Sequence, residues 1–181
     1  MLMSSIKPYD EQANNCDLYA TGLSTRHFLI LGIVNILTRS QTRDPNIRKM
    51  SKFAGTWKFV STENLEELLR AIGMNEDFIA KSRDDKPTMI ITVSDNNIHM
   101  KTEGQAGTFD ENLTFDVCSE HKLPTGETYQ MTISKESDTR MKAVFTGTAT
   151  PGHTIYEICG NELHMTSTAG SVTGKSIFVK A

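Results

Sequence analysis

A series of short strand-like runs, each ended by turn residues, constrains the fold of this chain more than any other feature. After Pro87, apolar and polar residues alternate in runs separated by Asp, Asn, Gly or Pro about every eight to twelve residues. This spacing is typical of an all-β sandwich or barrel. Together with a run at 56–62, the predicted strands lie at 88–94, 97–103, 107–110, 112–118, 127–134, 139–147, 152–159, 162–168 and 172–179.

Two helices are predicted between the first strand and the second. Residues 64–73 carry one apolar stripe with helical spacing, formed by Leu65, Leu68, Leu69 and Ile72. Asn64 is the predicted N-cap of this helix, and Gly73 stands where it ends. A second short helix is expected over 75–82, with Phe78 and Ile79 facing inward.

The fold class predicted from these elements is all-β, a ten-stranded antiparallel up-and-down β-barrel with a two-helix lid between the first and second strands. Antiparallel strands joined by tight turns remove their exposed edges by closing into a barrel. A barrel of ten strands is wide enough to hold an internal cavity. The apolar stripe of the lid then covers the mouth of that cavity, which favours a carrier of an apolar ligand.

Composition divides the chain into two parts. Residues 1–50 are expected to be a disordered or alternative N-terminal extension, and residues 51–181 a single lipid-binding β-barrel. The first part carries six Lys/Arg against four Asp/Glu, and the second thirteen against eighteen. The net charges are therefore +2 and −5, and the barrel lacks the clustered positive charge that nucleic acid binding requires.

The cysteines and the apolar runs favour a cytoplasmic protein. Cys16, Cys118 and Cys159 are odd in number and lack paired spacing, which is typical of a reducing compartment. The apolar run at 28–37 lies too far from the start for an ordinary signal peptide. A secreted lipocalin-like carrier stays open as an alternative, because Gly55-x-Trp57 resembles the first strand of the lipocalins. Glycosylation of Asn112 in the sequon Asn112-Leu113-Thr114 would support it.

No residue pattern indicates an enzyme. The five histidines lack the paired spacing of zinc ligands, and no nucleophile elbow or Ser, His and acid arrangement appears. Gly174-Lys175-Ser176 lacks the glycine spacing and the following helix of a phosphate-binding loop. No catalytic residue, metal or cofactor is therefore assigned.

The opening of the predicted barrel resembles the intracellular fatty-acid-binding proteins of the calycin superfamily. Residues 55–73 read GTWKFVSTENLEELLRAIG, and that family has a Gly-x-Trp strand followed by Asn, an aromatic residue and an acidic residue. Leu65 departs from this pattern, since it stands where the family usually has Phe or Tyr. Residues 86–93 are similar to its second strand, 108–115 to its fourth and fifth, and 178–181 to its ending. The resemblance covers essentially all of 51–181 and implies a cytosolic lipid carrier.

The resemblance also implies where a ligand binds. The implied cavity residues lie on the lid, at the portal side and deeper in the barrel: Leu65, Leu68, Leu69, Ile72, Met74, Phe78, Met89, Thr102, Phe109, Tyr156, Met165, Ser167, Ser176 and Phe178. Met, Phe and Leu at these spacings make an adaptable apolar cavity. Family members that hold a carboxylate use an internal Arg and an Arg-x-Tyr, whereas Tyr156, Ser176 and Phe178 align there, so a neutral or differently oriented lipid is favoured.

The function expected is an intracellular carrier that binds a long-chain fatty acid or similar hydrophobic ligand inside the barrel and transports it. The alternative is a structural or protein-interaction barrel without lipid transport. The expected partners are that small apolar ligand and, transiently, a membrane surface through Lys81, Arg83 and Lys86, with no nucleic acid. The resemblance favours a monomer.

Overall fold

The computed structural model describes residues 50–94 and 96–181. These residues form one ten-stranded antiparallel sheet that curls into a nearly closed barrel, with two helices between the first strand and the second. The predicted fold class is therefore confirmed. The expectations for residues 1–49 lie outside the described residues. No helix in the described part of the chain has the length and apolar character that a bilayer crossing requires.

The strands and helices follow the predicted order. The first strand and the two helices are β1 (Gly55–Glu63), α1 (Leu65–Ile72) and α2 (Glu76–Ser82). The remaining strands are β2 (Thr88–Ser94), β3 (Asn97–Glu103), β4 (Thr108–Thr114), β5 (Ser119–Lys122), β6 (Thr128–Ser137), β7 (Arg140–Thr146), β8 (Gly152–Cys159), β9 (Glu162–Ala169) and β10 (Val172–Lys180).

Each strand pairs with the next one in sequence except at one place. β1 pairs with β10 as well as with β2, which joins the two ends of the chain of strands. β4 and β5 lie at opposite ends of the hydrogen-bonding order and do not pair with each other. Among the described residues, two hydrogen bonds bridge this gap. The Tyr129 hydroxyl on β6 donates to the Glu111 carboxyl on β4. The Asp116 amide, just beyond β4, donates to the Ile133 carbonyl on β6.

Alternation along the strands separates an inner face from an outer one. Successive side chains of a strand point to opposite faces, so every second residue faces the barrel interior. The buried inner residues include Ile91, Ile98, Leu113, Ile133 and Met141, each no more than 2% exposed. They form one apolar core together with both helices.

One end of the core is sealed by Trp57. Its side chain is 1% exposed, and its indole Nε1 donates a hydrogen bond to the Phe53 carbonyl at 2.8 Å. Met50 and Phe53 are buried in the same core. Trp57 does not line the cavity described below, so its role in the described structure is packing.

Two strand boundaries differ from the prediction. Residues 107–110 and 112–118, predicted as two strands, form the single strand β4, which pairs with β3 without interruption from Thr108 to Thr114. The following strand, β5, was not predicted, since its four residues SEHK carry no apolar alternation. The total of ten strands is right because these two errors cancel.

The first helix begins differently from the prediction. Asn64 does occupy the N-cap position, but it has a left-handed backbone (φ 55°), and its side chain makes no capping hydrogen bond. Its Nδ2 donates instead to the Thr173 carbonyl at 2.8 Å, which ties the start of α1 to β10. Asn75 is the side chain that caps a helix, because its Oδ1 accepts from the Phe78 amide at 2.9 Å.

Candidate ligand-binding cavity

The barrel encloses a cavity of about 280 Å³ beneath the two helices. This volume lies near the lower end of the range of about 300–1,000 Å³ that small-molecule sites occupy, so it suits one ligand. Its wall is mostly apolar and is contributed by α1, α2 and the inner faces of most strands. The cavity is thus an apolar interior space.

All fourteen residues predicted from the resemblance lie on the wall of this one cavity. The lid contributes six of them: Leu65, Leu68, Leu69, Ile72, Met74 and Phe78. The strands contribute the other eight: Met89, Thr102, Phe109, Tyr156, Met165, Ser167, Ser176 and Phe178. The structure brings the set together, and contact of each residue with a ligand stays a prediction.

The lid is held close to the barrel by specific contacts. A Cβ on Gly174 would lie 3.0 Å from Cδ2 of Leu68 and 3.1 Å from the Asn64 carbonyl oxygen, so α1 approaches β10 closely only because residue 174 is glycine. The Phe78 and Phe109 rings meet edge to face with centroids 6.1 Å apart. This contact packs α2 against β4.

The end of α2 also contacts the turn between β3 and β4. The Ala106 amide donates to Oδ2 of Asp85 at 3.0 Å, and both residues line the cavity. On the outer side, Arg83 donates to Glu66 at 2.8 Å and Arg70 to Glu76 at 2.9 Å, which links the two helices. These exposed ion pairs contribute little to stability.

Several hydroxyl groups on the cavity wall already have hydrogen-bond partners in the protein. Thr154 and Ser167 share a hydrogen bond of 2.8 Å across β8 and β9. Ser176 shares one of 3.1 Å with Thr62 across β10 and β1. Because these hydroxyls already have partners, the wall they form is closer to apolar than its composition suggests.

A carboxyl group and two phenols form the strongest polar feature of the cavity. Glu111 faces inward from β4, between Phe109 and Leu113 in the alternation, and accepts a hydrogen bond from the Tyr129 hydroxyl. Tyr156 lies on the wall from β8 and is 6% exposed. Glu111 retains some accessible surface, and its place on the cavity wall means that this surface faces the interior.

Burial governs the protonation of this group. Loss of solvation raises the pKa of the Glu111 carboxyl, the nearby Asp110 charge raises it further, and the hydrogen bond from Tyr129 opposes both. Burial also raises the pKa of Tyr129 and of Tyr156, and the charge of Glu111 adds to both shifts. The cluster therefore favours the neutral form of all three side chains.

Sequence reasoning missed several residues of the wall. Among them are Phe59, Met100, Glu111, Tyr129, Met131, Phe145 and Thr154. Glu111 was missed because it falls between the two strands predicted at 107–110 and 112–118. The period-two series Phe109, Glu111, Leu113 was the signal that could have placed its side chain inside.

Comparison with known proteins places the chain in a family. Residues 54–175 match the model of the lipocalin / cytosolic fatty-acid binding protein family. Fatty acid-binding protein 1 of Fasciola gigantica is 29% identical over 132 residues, which cover 73% of this chain and all of that one. A fatty acid-binding protein of Clonorchis sinensis is 31% identical over 96 residues, covering 52% of this chain and 72% of its own.

The fold agrees with solved structures as well. The structure of a Schistosoma mansoni fatty acid binding protein in complex with arachidonic acid superposes with a TM-score of 0.70 at 20% identity, covering 74% of this chain and 98% of that one. At this identity the likeness concerns the fold alone. With the family match spanning most of the barrel, the chain belongs to the lipocalin / cytosolic fatty-acid binding protein family.

Proposed function

We propose that this protein is an intracellular carrier that binds a long-chain fatty acid or a similar hydrophobic ligand inside the barrel and transports it. The observation that carries the proposal is the apolar cavity under the lid, lined by methionine, leucine and phenylalanine side chains. Burial of an alkyl chain in such a cavity contributes about 0.8 kcal/mol for each CH₂ group. The hydrophobic effect can therefore hold the ligand without a strong polar anchor.

The relatives support the same function. The matching proteins of Fasciola gigantica and Clonorchis sinensis are named fatty acid-binding proteins, and the Schistosoma mansoni structure holds arachidonic acid. A barrel that served only as a structural module would fill its interior with its own side chains. The cavity here favours a carrier over that alternative.

We also propose the compartment, the oligomeric state and the partners of the carrier. The protein works in the cytoplasm as a monomer and catalyses no reaction. It binds no nucleic acid, in keeping with the net charge of −5 over residues 51–181. Its binding residues are the fourteen wall residues named above, which share one continuous cavity.

Transient contact with a membrane belongs to the same proposal. Lys81, Arg83 and Lys86 follow one another at the end of α2, next to the lid through which a ligand enters. Arg83 is engaged by Glu66, which leaves Lys81 and Lys86 as the cations for anionic headgroups. Transfer of a fluorescent lipid to anionic vesicles is expected to slow when both lysines become glutamine.

Binding to the delipidated full-length chain tests the function. Displacement of an environment-sensitive fluorescent lipid probe by a panel of fatty acids and retinoids is expected to give saturable binding at one site. Replacing the wall residue Phe109 by Asp should abolish it, while the outward-facing Val144→Asp on β7 should leave it intact. Absence of probe and lipid binding to well-folded protein would refute the carrier function.

A further inference from the structure

The charge of the cavity wall is opposite to what an anionic ligand needs. Within the described residues, three charged side chains belong to wall positions: Asp85, Glu111 and Lys175. Lys175 alternates with the inward positions Gly174 and Ser176, so its side chain lies on the outer face of β10. Asp85 lies at the end of the lid, where the Ala106 amide engages it. Glu111 is thus the ionisable group of the barrel interior.

Two polar atoms of this interior have no protein partner among the described residues. The Tyr129 hydroxyl donates to Oε1 of Glu111, and no hydrogen bond engages Oε2. The Tyr156 hydroxyl also makes none, although the side chain is 6% exposed and lines the cavity. Among the described side chains, every fully buried polar atom has a hydrogen-bond partner. Because Oε2 of Glu111 and the Tyr156 hydroxyl have none, both atoms keep some accessible surface and are open to a ligand in the cavity.

We propose that Glu111 and Tyr156 form the head-group site of the cavity, and that this site takes a long-chain lipid with a neutral polar end that both donates and accepts hydrogen bonds. A primary fatty amide is the ligand class that fits best. The inference rests on the carrier function proposed above and names the ligand class for the same cavity.

The chemistry of the two groups is complementary. The neutral carboxyl of Glu111 donates from Oε2 to the amide carbonyl, while the amide N–H donates to Oε1, which has a second lone pair besides the one that Tyr129 uses. The Tyr156 hydroxyl supplies a further donor for the amide carbonyl. The carbonyl oxygen and one N–H of the amide then have partners.

A carboxylate is disfavoured at the same place. Its transfer into the barrel costs solvation energy that only a paired cation can offset, and none of the inward side chains described is cationic. A carboxylate would also raise the pKa of Glu111 further, because two like charges cannot share one buried site. The raised pKa of Glu111 already reflects how poorly this interior accepts negative charge.

The test compares lipids that share one eighteen-carbon chain and differ only at the polar end. Oleamide, oleate and oleylamine compete with a fluorescent probe for the delipidated full chain at neutral pH, below the concentrations at which they aggregate. Oleamide is expected to bind at least about tenfold more tightly than oleate. Tyr156→Phe should weaken oleamide by about fivefold, the loss expected for one hydrogen bond.

The variant Glu111→Gln separates charge from shape. Glutamine keeps a donor and an acceptor and cannot ionise, so with Glu111 neutral in the wild type the affinities for oleamide and for oleate should each stay within about twofold. Glu120→Gln, an equal charge change on the exposed face of β5, should leave both affinities unaltered.

Three outcomes would overturn the assignment. Oleate binding as tightly as oleamide would place the head group elsewhere. Tightest binding of oleylamine would mean that Glu111 is ionised and pairs with a cation. If neither the probe nor any of the three lipids binds, the carrier function itself fails, whereas the first two outcomes leave that function standing.

Discussion

At the scale of single residues, Glu111 is the side chain whose position is least expected from stability alone. A buried carboxyl is costly unless it is neutral or paired, and within the described residues the hydrogen-bond partner of Glu111 is the Tyr129 hydroxyl. An apolar residue at this position would continue the inner series of Phe109 and Leu113. Because the buried Glu111 carboxyl lowers stability, its presence on the cavity wall supports the proposed role in ligand selection.

The variant Glu111→Gln should be more stable than the wild type at neutral pH. Because the folded-state pKa of Glu111 is raised, its ionisation favours the unfolded chain, and this destabilisation grows as pH rises above the ordinary carboxyl pKa of about 4.3. Asp110, Tyr129 and Tyr156 are the titratable groups that interact with it. Urea unfolding across pH 4 to 8 measures the difference.

The stability advantage should shrink as pH falls through the ordinary glutamate range, where Glu111 is protonated in both states. Glu120→Gln is the matched control, and its effect on stability should be small and nearly independent of pH since Glu120 is exposed. An advantage of Glu111→Gln that is equal at pH 4 and pH 8 would contradict the assignment of a buried, neutral Glu111.

Two methionines should separate packing from binding. Met141 is fully buried and absent from the cavity wall, so Met141→Ala should cost about 2–5 kcal/mol of unfolding free energy. Met165 lies on the wall and is partly exposed to the cavity, so Met165→Ala should cost less stability and weaken lipid binding about fivefold. Equal losses of stability and no change in affinity would show that Met165 only fills the core.

At the scale of elements, the strongest departures from the sequence-based expectation occur in β4 and β5. The sequence predicts a break at Glu111, between strands at 107–110 and 112–118. In the structure the backbone of β4 continues the ladder with β3 through Glu111, and the Glu111 side chain accepts a hydrogen bond from Tyr129 on β6. The alternation of Phe109, Glu111 and Leu113 could have placed Glu111 inside, but the sequence does not identify its distant partner.

The helices and most other strands were predictable because their signals are local. The apolar stripe of α1 and the alternation of β2, β3 and β8 follow from burial on one face, and their bounds agree with the prediction within a residue or two. The N-cap of α1 was not predictable, because Asn64 bonds to Thr173 on β10 rather than to its own helix. The cavity residues on these strands were predictable too, because the alternation that indicates a strand also indicates which of its side chains face inward.

The contact between α1 and β10 predicts the effect of Gly174→Ala. The added methyl group meets the Leu68 side chain at 3.0 Å and the Asn64 and Glu63 carbonyl oxygens at 3.1 and 3.3 Å. Since backbone atoms cannot rotate away, α1 must shift outward, at a cost of about 1–3 kcal/mol. Stopped-flow transfer of a bound fluorescent lipid should become faster in this variant.

The same experiment distinguishes a lid from a rigid cap. If Gly174→Ala lowers the unfolding free energy but leaves the rate of lipid release unaltered, α1 does not limit ligand exchange. A faster release with a small loss of stability would identify α1 as the element that opens.

At the scale of the whole molecule, the barrel is closed by strand pairing on nine of its ten seams and by a few isolated hydrogen bonds at the remaining one. The seam between β4 and β5 lacks ladder hydrogen bonds, and the Glu111–Tyr129 bond spans it from β4 to β6. The head-group site and the closure of the barrel thus share one interaction. Ligand binding at Glu111 is expected to stabilise the folded chain by this route as well as by mass action.

The most direct test of the carrier function is the affinity of the delipidated full chain for unbranched alcohols of about ten to about eighteen carbons, measured by titration calorimetry. One molecule should bind per chain, and the affinity should rise about fourfold for each added CH₂ until the cavity is full and then level off. The heat capacity change should be negative, as burial of apolar surface requires. Affinities that do not depend on chain length, or no saturable binding, would contradict the conclusion that the cavity holds the alkyl chain.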